Sequence, residues 1–136
     1  MKITYHDEEK TLLKTSNTLI IPAIVGLYRQ YYTPMMFNII SWAVSSCFWS
    51  LPHTGMRRNI DLYYQPIFAT YMYSLGMYKS DKPIHKFIGN IFFMNGLYLF
   101  YCSSKEYKKI NRLWFVYHSY FHLSMATACS IVYLAI

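Results

Sequence analysis

The sequence predicts an all-α fold, a polytopic transmembrane bundle of about five helices, and three observations lead to that prediction. The chain of 136 residues is 54% hydrophobic and only 14% charged, against a charged share of about 25% in ordinary globular domains. Aromatic residues make up 20% of the chain, with 15 Tyr among them, and aromatic side chains are enriched at both membrane interfaces. Apolar segments alternate with short basic ones, which is typical of membrane proteins.

The predicted elements follow the apolar segments in order. Residues 1–17 are a polar N-terminal tail of mixed charge, and residues 18–136 are a single transmembrane domain. Segment 18–27 is short and contains Pro22, so it predicts either a fifth span or a re-entrant piece. Four further segments are long enough to span a bilayer, namely 34–52, 60–77, 84–102 and 113–136.

The distribution of basic residues predicts an orientation. If segment 18–27 spans, nine of the 13 Lys and Arg residues fall on the side of the N-terminus. The positive-inside rule then places the N-terminus inside and the C-terminus outside. If that segment does not span, the split is seven to six and predicts no orientation.

The composition also excludes some classes of protein. The net charge of +7 would suit a nucleic-acid-binding protein, but the basic residues lie between apolar segments rather than in one patch. Cys47, Cys102 and Cys129 show no paired spacing, which excludes a disulfide framework and a zinc finger.

Segment 113–136 contains no Asp, Glu, Lys or Arg, and as a helix it would be about 36 Å long. His118 and His122 lie four residues apart within it and therefore share one helix face. In the five-span topology, Ser46, His53 and Asp61 lie towards the same side of the membrane. Three imidazoles and a carboxylate suit zinc, with Asp61 orienting a metal-bound water or a ligating histidine. A metal-bound hydroxide there would attack an ester or amide of a lipid.

A simpler interpretation stays open beside the metal site. Buried histidines commonly just satisfy a backbone carbonyl or a serine hydroxyl. His6 in the tail and His85 in the opposite loop are both predicted to be solvated.

A haem b is another use of the histidines. Because two histidines one turn apart cannot bind opposite faces of one haem, bis-histidine ligation would pair His53 with His118 or His122. Arg57 and Arg58 would then meet the propionates through charge-assisted hydrogen bonds. Their alternative role is positive-inside anchoring at anionic headgroups.

The order Ser46, His53, Asp61 and His118-Ser-Tyr-Phe-His122 resembles the CREST superfamily of alkaline ceramidases and adiponectin-type receptors. The resemblance implies a zinc ion held by His53, His118 and His122, with Ser46 and Asp61 assisting catalysis. The chain departs from the family pattern in having two spans fewer. It also places Trp49, instead of a serine, one helical turn before His53.

The segment His53-Thr-Gly-Met-Arg-Arg-Asn-Ile-Asp61 is similar to a stretch of the cytochrome b anchor subunit of succinate dehydrogenase. That resemblance implies haem ligation by His53 beside a quinone site. It covers nine residues, and Arg58 stands where the family has a histidine.

Two functions are therefore predicted. The first is a small integral-membrane subunit, not an enzyme on its own, in a larger complex such as a respiratory complex of the mitochondrial inner membrane. It would contact lipid and other membrane subunits, and a haem or a quinone. The second is a zinc-dependent lipid hydrolase of the CREST type.

Overall fold

A computed structural model describes residues 6–53 and 55–136, and within them the backbone of His6 but not its side chain. The elements are α1 (His6–Ser16), a 3₁₀ turn (Asn17–Leu19), α2 (Ile20–Tyr28), α3 (Tyr32–Ser50), α4 (Met56–Lys79), α5 (Pro83–Lys108) and α6 (Leu113–Ala135). The all-α prediction is confirmed. In the described part of the chain, no helix combines the length and the apolar character needed to cross a membrane.

The predicted polar tail is largely the helix α1, and only residues 1–5 of it lie outside the described residues. Its first turn carries Asp7, Glu8 and Glu9, and its last turn carries Lys14. Acidic residues near the start and a basic residue near the end both favour the helix dipole. The backbone continues through the 3₁₀ turn into α2, so the short segment 18–27 is the second half of one helical run.

This first helical run lies parallel to α6 in a constant register. Arg112 contacts Glu8, Thr15 contacts His122 and Arg29 contacts Ile136, and the partners are 104 to 107 positions apart in the sequence. Successive helices, by contrast, pack antiparallel along the chain. The bundle therefore consists of five helical rods that alternate in direction, with the first and the last pointing the same way.

The core is divided between two clusters at opposite ends of α6. The first contains Leu12, Phe48, Trp49 and Trp114. The second consists of Phe68, Met72, Cys129, Val132 and Tyr133. Since both clusters include residues of α6, that helix is the centre of the bundle.

Two glycines let neighbouring helices approach α6 closely. A Cβ atom on Gly26 of α2 would lie 2.8 Å from Cε1 of Tyr133, and one on Gly76 of α4 would lie 2.8 Å from Cγ2 of Val132. Real Cβ contacts are essentially never that short. Any larger residue would therefore push the two helices away from α6.

The substitution Gly26→Ala tests this close approach. Tyr133 is fully buried, so its ring has no room to move away from an added methyl group. Overpacking of this kind costs about 1–3 kcal/mol, whereas the better helix propensity of Ala returns about 1 kcal/mol. We expect a lower midpoint of thermal unfolding for the purified variant.

Gly89→Ala is the matched control, because a Cβ there would meet only Cγ2 of Ile131, at an ordinary 3.6 Å. This control should leave the midpoint unchanged or raise it. Equal midpoints for the Gly26 and Gly89 variants would contradict the packing argument.

Candidate functional site

The candidate site is built around His118 and His122, which project from one face of α6 as their spacing predicts. Their ring centroids lie 4.8 Å apart and the rings are nearly perpendicular, at 88°. His122 is only 2% exposed. The two imidazoles therefore form an edge-to-face pair inside the bundle.

Aromatic side chains enclose this pair. The ring of Trp49, on α3, lies 5.2 Å from that of His118 and 6.4 Å from that of His122. Trp114 and Phe121, both on α6, also contact the ring of His118. Nε1 of Trp49 is buried without a hydrogen-bond partner among the described residues. Trp49 thus bridges from α3 to α6 directly beside the histidines.

Each histidine also has a hydroxyl partner from another helix. Nδ1 of His118 lies 3.3 Å from Oγ of Ser103, on α5. Nδ1 of His122 lies 3.1 Å from Oγ1 of Thr15, on α1. The pair therefore joins three helices through side-chain contacts.

Thr15 pairs with Nδ1 of His122 in either tautomer of the ring. The Thr15 hydroxyl also lies 3.2 Å from the carbonyl oxygens of Thr11 and Leu12. With Nδ1 protonated, His122 donates to Thr15, and the Thr15 proton goes to one of these carbonyl oxygens. With Nδ1 unprotonated, Thr15 donates to His122 instead.

An ion pair holds α1 over the site. Arg112, just before α6, donates to Glu8 at 3.1 Å and to Asp7 at 2.8 Å. The hydrogen bond to Asp7 raises the pKa of the Arg112 guanidinium most, and the hydrogen bond to Glu8 raises it further. The carboxylate of Glu8 is only 1% exposed. Its burial beside a permanent charge fixes the start of α1 against α6.

Two predicted catalytic residues belong to other networks. Ser46 donates to Oδ1 of Asn17 at 3.2 Å. Asp61 is buried near the start of α4, where it accepts a hydrogen bond of 3.0 Å from Gln65. Gln65 in turn accepts a hydrogen bond of 2.6 Å from Ser41. Gln65 therefore joins α4 to α3, and Asp61 binds the amide of Gln65 within α4.

The predicted haem-binding residues lie around the connection between α3 and α4. The backbone N–H of His53 donates to the carbonyl of Leu51 at 2.9 Å. Nδ1 of the His53 ring is buried and lacks a hydrogen-bond partner among residues 6–53 and 55–136. Arg57 and Arg58 are in the first turn of α4, the first exposed and the second half-buried.

Catalytic zinc takes three protein ligands, and the described residues contain no group of three His, Cys, Asp or Glu side chains arranged to hold a metal ion. Of the predicted ligands, His118 and His122 adjoin each other, and Trp49 packs against both rings. Zinc and haem ligation by His53 therefore stay predictions.

The remaining predictions concern Cys and His residues outside the site. Cys47, Cys102 and Cys129 are free thiols, as their spacing predicts. His85, predicted to be solvated, is half-buried, and its Nδ1 is buried. The side chain of His6 lies outside the described residues.

Thr15→Val tests whether the hydroxyl partner stabilises the histidine pair. The substitution leaves Nδ1 of His122 buried without its hydrogen-bond partner, which costs about 1–3 kcal/mol. We expect the free energy of unfolding in denaturant to fall by that amount. Thr11→Val is the control, because its hydroxyl donates an exposed hydrogen bond to the carbonyl of Asp7 within α1, whereas the Thr15 hydroxyl contacts His122. It should change stability by less than about 0.5 kcal/mol, and an equal loss in both variants would contradict the assignment.

Comparison with models of protein families, with curated proteins and with solved structures gives no match. Neither the CREST superfamily nor the succinate dehydrogenase anchor subunit therefore gains support as a relative.

Proposed function

We propose that this chain is a small integral-membrane subunit of a larger membrane complex, in which it has a structural, anchoring role. The observation that carries the proposal is that α3 buries several polar side chains while it exposes large apolar ones. It buries the polar side chains of Asn38, Ser41 and Ser45. Its exposed large hydrophobic residues are Tyr32, Met36, Phe37 and Ile40. Such an arrangement suits a helix whose outer face meets hydrocarbon and whose inner face meets polar partners.

The outer face of α5 supports the same proposal. Nine residues between positions 84 and 101 are exposed: Ile84, Phe87, Ile91, Met94, Asn95, Leu97, Tyr98, Phe100 and Tyr101. The one amide among them, Asn95, donates to Oγ of Ser124 on α6. Contiguous apolar surface of this kind marks a face that another apolar phase covers.

The apolar character averaged over a whole helix does not describe the outward face of that helix. Lipid contacts only the outward side of a helix, whereas α6 turns Ser119, His122 and Ser124 inwards. These polar side chains lower the mean apolarity of α6 without facing outwards. The proposal therefore depends on which side chains are exposed.

The ends of the bundle differ in charge. The alternating rods place most basic residues at the end where α1, α4 and α6 begin: Lys10, Lys14, Arg57, Arg58, Lys105, Lys108, Lys109 and Arg112. The opposite end has Arg29, Lys79, Lys82 and Lys86. This asymmetry supports a membrane orientation with the N-terminus inside.

The exposed side of α4 supports a partner subunit. Met56, Ile60, Tyr63 and Ile67 are 77%, 46%, 75% and 69% exposed, and Arg57 is exposed beside them. Met, Tyr and Arg are enriched in protein interfaces. A mixed surface of this kind suits a protein neighbour better than lipid.

Ile91→Lys tests the lipid-facing role of α5. Ile91 is 51% exposed and lies about 12 Å along the helix from its start. A lysine at the centre of a membrane helix costs about 2.5–3.5 kcal/mol on insertion scales. We expect much less of this variant in the membrane fraction after alkaline carbonate extraction.

Tyr78→Lys is the control, because Tyr78 is 89% exposed near the end of α4. It should stay with the membrane like the unmodified protein. In water, an exposed Ile→Lys change would cost under about 0.5 kcal/mol. Recovery of soluble, folded Ile91→Lys protein at normal yield would therefore refute the proposal.

Tyr63→Ala tests the partner-facing role of α4. In mild detergent, the unmodified chain should migrate well above its own mass of 16.2 kDa, together with partners at constant stoichiometry. Truncating an aromatic anchor at an interface weakens binding by about tenfold or more, so the variant should lose those partners on dilution. Tyr78→Ala should keep them. Migration of the unmodified chain as a lone, stable monomer would overturn the assembly role.

A further inference from the structure

An open groove lies between α4 and α5, beside the end of α6 that is far from His118. Both helices pack on α6 far more extensively than on each other, so α6 forms the floor. The apolar walls and floor include Met72, Phe93, Met125, Ile131 and Val132. An extended apolar chain laid along the open groove would contact these apolar side chains.

One end of the groove is polar. Four polar residues line this end, near the connection between α4 and α5: Ser80, His85, Lys86 and Asn90. Nδ1 of His85 is buried there and finds no hydrogen-bond partner within the described ranges. The amide of Asn90 donates to Sδ of Met77 at 3.5 Å, and a thioether is a weak acceptor. The side-chain nitrogens of His85 and Asn90 therefore have no strong hydrogen-bond partner among the described residues.

The charge around this end is positive. Lys79 and Lys82 are exposed beside the groove, and Lys86 is half-buried within its lining. Asp81 is the one acidic residue in the segment from 79 to 86. An anionic group placed here would accept hydrogen bonds from Lys86 and from His85.

We propose that the groove binds an anionic phospholipid, with one acyl chain against α6 and the headgroup phosphate at Lys86 and His85. Basic pockets between membrane helices hold anionic headgroups in this way, and phosphate makes strong, charge-assisted hydrogen bonds to lysine. This inference rests on the proposed function, because the bilayer supplies the phospholipid. It concerns a different surface from the exposed faces of α3 and α4.

The test uses the full chain in a neutral detergent, titrated with dioleoyl phosphatidylglycerol or with dioleoyl phosphatidylcholine. Native mass spectrometry measures the bound fraction of each lipid. The unmodified protein should bind the anionic lipid more tightly. Lys86→Gln should weaken its binding about fivefold, the effect expected for one lost basic residue near a membrane surface, and should leave phosphatidylcholine binding unchanged.

Lys105→Gln is the matched control, since it removes an exposed lysine from the other end of the same helix. This variant should bind both lipids like the unmodified protein. Gly89→Leu is a second variant. Gly89 lines the groove, so a leucine side chain there should reduce the binding of both lipids.

Equal binding of the two lipids by the unmodified protein would overturn the inference. So would unchanged binding of phosphatidylglycerol by the Lys86→Gln variant. If the unmodified protein still resists carbonate extraction, either of these two results would leave the proposed membrane function intact. Release of the unmodified chain by carbonate would instead refute the proposed function itself.

Discussion

The constraint on which this structure depends is the parallel packing of the first helical run, His6–Tyr28, along α6. Contacts at its start, middle and end keep one register: Glu8 with Arg112, Thr15 with His122, Gly26 with Tyr133, and Arg29 with Ile136. When successive rods alternate in direction, the first and the last are parallel only if an odd number of rods lies between them. Here α3, α4 and α5 are those three rods, and each therefore has a fixed direction.

This packing also explains why the histidine pair is conformationally defined. Thr15 from α1 and Ser103 from α5 each take one ring nitrogen, and Trp49 from α3 covers both rings. A shift of α1 by one residue along α6 would separate Thr15 from His122 and leave a buried ring nitrogen without its hydrogen-bond partner. We infer that the pair selects one register of the bundle, a role attested for buried polar groups elsewhere.

The apolar segments predicted four of the rods to within a few residues at most ends, because uninterrupted apolar runs bounded by charge are a local signal. The helix α1 was not predicted, because its first half is charged. Its ion pair with Arg112 could not be predicted either, because Arg112 lies 104 positions beyond Glu8. The pairing of His118 with His122 follows from helical spacing alone. Their other partners do not, because Ser103 and Thr15 carry no distinguishing pattern and depend on which helices adjoin α6. The grouping of His53 with these two histidines was predicted from shared membrane depth, which does not determine which side chains face α6, and Trp49 contacts both rings.

Central placement of α6 has a further geometric consequence. Gly76 lets α4 approach Val132, and Gly96 of α5 would place a Cβ only 2.6 Å from Sδ of Met125. Both helices contact α6 more extensively than they contact each other, which leaves the groove between them. Closing this groove with larger side chains would require changes on α4 and α5, whose approach to α6 depends on small residues.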